Sequence, residues 1–148
     1  MRIVLDTNVL YQALRNSSGA SHYILQLIRQ RQLEMAISIP VYLEYRDVLS
    51  RQESLNDLGL SLDEVESVLR LVAYIARPFS IYFLMRPNLI DESDNMFVDL
   101  AFASNSRFII TSNVSDFTRH SELKFDRFDV ITPGEFVKLW RQEHGQEK

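Results

Sequence analysis

Apolar residues fall into two rhythms along this chain. Short apolar runs bounded by polar residues recur at 2–5 (RIVL), 35–39 (MAISI), 80–85 (SIYFLM), 107–111 (RFIIT) and 128–131 (FDVI). Runs of this length, rich in β-branched and aromatic residues, predict buried strands. Between them, apolar positions recur three and four apart, the spacing of one helix face. Over 21–32, Tyr23, Ile24, Leu27 and Ile28 form such a stripe, and the preceding NSSGAS reads as a loop that supplies a Ser N-cap. Pro40 suits the first turn of a helix running to residue 50, with Val41, Tyr45, Val48 and Leu49 inward. Ser61-Leu62-Asp63-Glu64 fits a capping box and opens a helix over 64–76 that Pro78 stops. DESDN at 91–95 reads as a loop before a helix over 96–104, and SNVSDF after the fourth strand reads as a turn or helix start. A second capping box, Thr132 to Glu135, starts a last helix through Trp140. No element is assigned to residues 7–15 or 52–60. Strands alternating with helices predict an α/β domain with a mainly parallel sheet and helices on both faces. One domain spans residues 1–140, and 141–148 reads as a polar, frayed tail.

Composition narrows the class. At 148 residues the chain is one domain in size, and 46% hydrophobic with 24% charged residues excludes long disorder. No apolar run approaches the ~18 residues that span a bilayer. The first apolar run is broken by Asp6 and Asn8 without a small-residue cleavage site, so no signal peptide is expected and the cytoplasm is the expected compartment. Without cysteine there is neither a disulfide framework nor a thiolate metal site. The net charge of −4 excludes a basic coat as the main means of holding nucleic acid. It leaves room for a nucleic-acid enzyme whose acids gather around a cation.

The acids are placed for that. Asp6-Thr7-Asn8 follows the first strand, Glu44 the second, Asp91-Glu92-Ser93-Asp94-Asn95 the third, and Ser112-Asn113 then Asp116 the fourth. In an open parallel sheet the carboxyl ends of the strands share one edge, where ligands bind, so four separate acidic segments are expected to converge. Carboxylates at close range raise one another's pKa, and a cation relieves the repulsion. An all-oxygen set of Asp, Glu and Asn suits Mg²⁺ or Mn²⁺ rather than Zn²⁺. Such an ion polarises a phosphoryl oxygen and acidifies water, and a pair about 4 Å apart can hold attacking and leaving oxygens. Each acid also has a plain structural use. Asp6, Asp94 and Asp116 can serve as helix caps. Glu44 shares a ridge with Val41 and Val48, so it needs a partner, either an arginine or a metal. Asp91 and Glu92 read as solvated loop charges, and Asp63, Glu64, Glu66 and Glu135 as caps and outer-face charges.

Other chemistries lack their patterns. His22, His120 and His144 are scattered without HExxH spacing, and there is no GxSxG, P-loop or GxGxxG. Trp140 and the other aromatic residues sit at core spacing. Arg15, Arg29, Arg31, Arg46 and Arg51 offer phosphate contacts, although each also suits a solvated helix face.

Taken in order, LDTNVL, Glu44 in PVYLEYRDVL, DESDNMFVDLAFAS, FIITSNVSDF and VITPGEFVKLW resemble the PIN domain family. Within it they are similar to the VapC-like toxin components of bacterial toxin–antitoxin pairs. The resemblance covers residues 1–140. It implies a three-layer α/β/α sandwich around a parallel sheet and an Mg²⁺- or Mn²⁺-dependent endoribonuclease. It implies that Asp6, Glu44 and Asp94 hold the metal, with Asp116 helping directly or through water. It gives Asn8, Thr111 and Ser112 orienting roles. Two departures stand out. Asn113 occupies a place where many relatives carry Asp, which bears on a second metal, and Asp91 can share the work of Asp94. The resemblance further implies an RNA substrate, an antitoxin partner that inserts a basic segment into the acidic cleft, and a homodimer, for which the apolar stretch 65–85 offers a surface.

Two rivals follow from the same residues. A haloacid-dehalogenase-like phosphatase requires a second Asp two residues after its nucleophile, where this chain has Asn8. A catalytically weak or inactive PIN-like domain that binds RNA or a protein partner is the other, motivated by the altered position 113.

Overall fold

The computed structural model describes residues 1–81, 92–118 and 127–145. Its strands are β1 (Arg2–Leu5), β2 (Glu34–Ile37), β3 (Arg77–Pro78), β4 (Phe108–Ile110) and β5 (Asp129–Ile131). Its helices are α1 (Thr7–Arg15), α2 (Ala20–Arg29), α3 (Ile39–Leu49), α4 (Gln52–Leu58), α5 (Leu62–Ile75), α6 (Glu92–Ser104), α7 (Val114–Thr118) and α8 (Pro133–Glu143). The sheet order is β3-β2-β1-β4-β5, and every pairing is parallel. Helices cover the sheet in a three-layer α/β/α arrangement. On one side α2 packs on α1 and α8, while α6 lies against β1, β2 and β4.

This strand order has a direct consequence. From β1 the chain winds outward through β2 to β3, then returns to the other side of β1 for β4 and β5. The winding reverses between β1 and β4, and such a switch leaves a crevice at the carboxyl ends of those two strands. Asp6 and Thr111 are the residues that follow them.

Strands β1, β2 and β4 are short and largely buried, so side-chain packing carries much of the stability. Tyr45, Phe97, Phe117 and Phe136 are fully buried. Each contributes roughly 1.5–3 kcal/mol through removal of apolar surface from water. Phe97 and Phe117 meet edge to face at 6.5 Å and tie α6 to α7, and Phe108 and Phe136 do the same at 5.7 Å between β4 and α8. Both capping boxes form as the sequence predicts. Ser61 and Glu64 exchange hydrogen bonds with each other's backbone N–H, as do Thr132 and Glu135.

Several boundaries differ from the sequence reading. Two helices, α1 and α4, fill stretches that received no element. The buried stripe of α1 has only Val9, Leu10 and Ala13 as apolar members, and α4 buries only Ser54 and Leu55, too few positions to mark a period. Helix α2 starts at Ala20 after Gly19, with no side-chain cap, so the expected Ser N-cap is absent. It also ends at Arg29 rather than at residue 32. Arg31 turns left-handed at φ 60°, its N–H donating to the Ile28 carbonyl while that of Gln32 donates to Leu27. This closes the helix in the manner a glycine usually provides. Ile39 belongs to α3, not to the second strand, because Ser38 already caps that helix. The third strand lies at Arg77–Pro78, where Pro78 fits because β3 is an edge strand. Most of the stretch expected as that strand, 82–85, lies outside the described residues. Helix α6 begins at Glu92 instead of 96, so part of the expected DESDN loop is helical. Acidic residue types at that end suit the positive pole of the helix. Finally, α8 continues to Glu143, where Arg107 reaches its carboxylate at 3.1 Å.

Candidate active site

The site is built around one peptide unit, Leu5–Asp6. As β1 ends, its pairing with β4 continues one step further: the Asp6 N–H donates to the Ile110 carbonyl at 3.0 Å. On the other side the ladder with β2 covers only Arg2 and Ile3. The Leu5 carbonyl instead accepts from the Tyr45 hydroxyl at 2.6 Å. The backbone that carries Asp6 is thus held from both sides.

The Asp6 side chain is 8% exposed and accepts three hydrogen bonds. Its Oδ1 accepts from the Thr7 N–H at 2.7 Å, which makes Asp6 the N-cap of α1. Its Oδ2 accepts from the Thr111 hydroxyl at 2.7 Å and from the Asn8 carboxamide at 3.2 Å. Burial is the largest influence on its acidity and pushes the pKa up. The hydrogen bonds from Thr111, Thr7 and Asn8 work against that, and the negative charge of Asp116 adds to it. The net shift is upward, so burial disfavours the charged form of this carboxyl group. A charged group in that condition is a candidate for function.

Around it the polar residues interlock. Thr111 is fully buried, and its hydroxyl oxygen accepts from the Asn113 N–H at 3.0 Å while its proton goes to Asp6. The Ser112 N–H donates to the Asn8 side-chain oxygen at 3.1 Å, which leaves the Asn8 amide group facing Asp6. Asn8, Thr111, Ser112 and Asn113 are therefore all connected to Asp6, directly or through one another. Ser112 and Asn113 act through backbone N–H groups, with their side chains exposed. Asp116, at the start of α7, has its own N–H bonded to the Asn113 carbonyl, and its charge is felt at Asp6.

The other two acids stand differently. Glu44 is half-buried on α3, and its charge helps raise the pKa of Arg51 after the larger effect of Asp47. Asp94 falls in the first turn of α6, with its side chain outside the described residues, as Asp91 is altogether. Among the described residues no group of three His, Asp or Glu side chains stands close enough to hold a metal ion. The donors nonetheless suit a hard cation: they are all oxygens, and Asp6 and Asp116 repel across the switch crevice. Two buried polar groups beside the candidate acids in sequence, the Thr7 hydroxyl and the Asn95 carboxamide, have no hydrogen-bond partner among the described residues.

The arginines near this half of the chain are engaged. Arg15 pairs with Asp57, Arg46 with Glu66 and Arg51 with Asp47, all at the surface. Among the described residues, none of the candidate acids lines the apolar cavity of about 800 Å³ beside Ile37, Ile39, Pro40, Tyr42, Phe79 and Ile81. The sequence reading missed Tyr45 and Asp99. Tyr45 looked like an apolar-face residue, and only its hydroxyl at the end of an otherwise apolar stripe hinted at a buried partner. Asp99 is 4% exposed on α6, and a lone acid one turn after Asn95 was its only signal.

The comparisons agree with this topology. The family model described as PIN domain matches residues 2–115, so Asp6, Glu44, Asp94 and Asn113 fall inside the match and Asp116 one residue beyond it. No curated protein matches the chain. Among solved structures, the chain is similar to one in the crystal structure of VapBC2 from Rickettsia felis bound to a DNA fragment from their promoter. The TM-score is 0.61 at 17% identity, covering 89% of this chain and 98% of that one. Among the described residues no helix is long and apolar enough to cross a membrane. With a family model matched over most of its length, on a sheet wound 3-2-1-4-5, this chain belongs to the PIN domain family.

Proposed function

We propose that the chain is a divalent-metal-dependent endoribonuclease, the toxin of a bacterial toxin–antitoxin pair. The observation that carries this reading is Asp6: a buried, fully oriented carboxylate at the switch crevice whose pKa is raised by burial and by Asp116. Asp6, Glu44, Asp94 and Asp116 would hold Mg²⁺ or Mn²⁺. When bound, such an ion polarises a phosphodiester and acidifies water. The chain's own residues supply orientation. Thr111 and Asn8 fix one oxygen of Asp6 and Thr7 fixes the other, so neither carboxylate rotation nor protonation is free. Buried beneath Thr111 and Tyr45, that carboxylate acts where the dielectric is low and its field is strong. Asp116, exposed at the rim, can accept a proton from solvent-borne water.

A protein partner is supported by the VapBC2 complex to which the chain is similar. The acidic edge and the net charge of −4 fit a basic antitoxin segment, and a homodimer is proposed with it. A second reading is favoured by Asn113, a neutral residue where the resemblance leads one to expect an acid: a PIN domain that binds RNA or a protein without cutting.

One assay separates the two. Purified chain is incubated with a mixed single-stranded RNA pool in Mn²⁺ or in EDTA, beside Asp6→Asn. Cleavage that needs Mn²⁺ and vanishes in the variant is expected. Equal cleavage by both proteins marks contamination and ends the enzyme reading, and RNA retention without cleavage supports the binding one.

A further inference from the structure

Tyr45 is fully buried on α3, and its hydroxyl donates to the Leu5 carbonyl. That carbonyl and the Asp6 N–H belong to the same peptide unit, and the N–H is bound on the far side by Ile110 of β4. The peptide that carries Asp6 is therefore clamped between α3 and β4. The clamp stands where the sheet gives no help, because the β1–β2 register stops at Ile3. Glu44 is the next residue on the same helix. Any shift or rotation of α3 moves Glu44, and the Tyr45 hydroxyl ties that helix directly to the Asp6 peptide.

We infer that Tyr45 is a positioning residue that registers the helix carrying Glu44 against the peptide carrying Asp6. The inference rests on the proposed roles of those two acids. A phenol suits the task. Its hydroxyl is a donor, fully buried, with the Leu5 carbonyl as its acceptor. Its ring fixes the distance by packing, and its oxygen fixes the direction. Groups that orient metal-binding side chains from behind commonly matter nearly as much as the ligands themselves.

The test uses the intact chain and two variants. Tyr45→Phe keeps the ring and removes the donor. Ser104→Ala is the control: its buried hydroxyl donates to the Leu100 carbonyl at 2.7 Å, at the other end of the sheet. Both variants are expected to unfold cooperatively at a somewhat lower temperature. Only Tyr45→Phe is expected to lose about tenfold in Mn²⁺ affinity by calorimetry and a similar factor in kcat, with KM for RNA unchanged. If Tyr45→Phe keeps wild-type Mn²⁺ affinity and kcat, or if Ser104→Ala loses them equally, Tyr45 is a stability contact and the inference is overturned. A wild-type chain that binds no Mn²⁺ would instead overturn the metal reading, and the inference with it.

Discussion

Thr111→Val is a demanding test of the site, because its effect should depend on pH. The substitution keeps the shape of a fully buried side chain and removes one hydroxyl. That hydroxyl donates to the Asp6 carboxylate at 2.7 Å and accepts from the Asn113 N–H at 3.0 Å. A hydrogen bond to a charged group contributes about 1.5–3 kcal/mol, and stranding its partner adds to the loss. We expect about 2 kcal/mol at neutral pH, which for a domain of this size lowers Tm by roughly 4–8 °C. The pH dependence follows from Asp6. Its folded pKa lies above its unfolded one, so its contribution to stability is full below the unfolded pKa and is lost as pH rises through the folded pKa. Thr111 favours the charged form, so removing it raises the folded pKa further and deepens the loss only where Asp6 is ionised. Thermal melts in EDTA at about pH 7.5 and about pH 4 should therefore differ, with the variant's deficit shrinking in acid. An equal deficit at both values would show that Thr111 supports packing and not the Asp6 charge.

Four further outcomes are expected. Asp116→Asn removes a like charge from the site, so the Asp6 pKa falls toward its ordinary value, read by carboxyl-carbon NMR titration. Mn²⁺ at about one hundred times its Kd should stabilise the folded chain by about 2.7 kcal/mol, seen as a rise in Tm that Asp6→Asn abolishes. Asn113→Asp leaves the backbone bond to Thr111 in place but adds charge at the site, so the melt in EDTA should fall and the calorimetric Mn²⁺ stoichiometry or affinity should rise. Ser61→Ala breaks the capping box of α5, costing about 1 kcal/mol by urea titration while cleavage is unchanged.

Much of this was legible in the chain, for reasons that can be named. Strands β1 and β4 and helices α3, α5 and α8 announce themselves because their buried faces are long or their caps are explicit, as with Ser61 and Thr132. The alternation of elements fixes the parallel sheet, and the residues after β1 and β4 are the ones found interlocked at the switch point. What the pattern hides is whatever depends on the partner across the sheet. Nothing in TSN says that Thr111 donates to Asp6 while Ser112 and Asn113 contribute backbone N–H groups. Nor does the apolar stripe of α3 say that Tyr45 completes the carbonyl left open by β2. Short elements such as α1 and α4 bury too few residues to leave a period.

The departure at position 113 takes on a definite meaning in this geometry. A side chain there is exposed, whereas its backbone N–H is what orients Thr111 and, through it, Asp6. An Asp at that place would therefore change the charge of the edge and not the scaffold of the buried carboxylate. Asp6 already bears the cost of burial and the repulsion of Asp116. A further acid would raise that cost in the metal-free protein, with benefit only if a second cation were bound. For the proposed nuclease, a single cation at Asp6 is therefore expected rather than a symmetric pair.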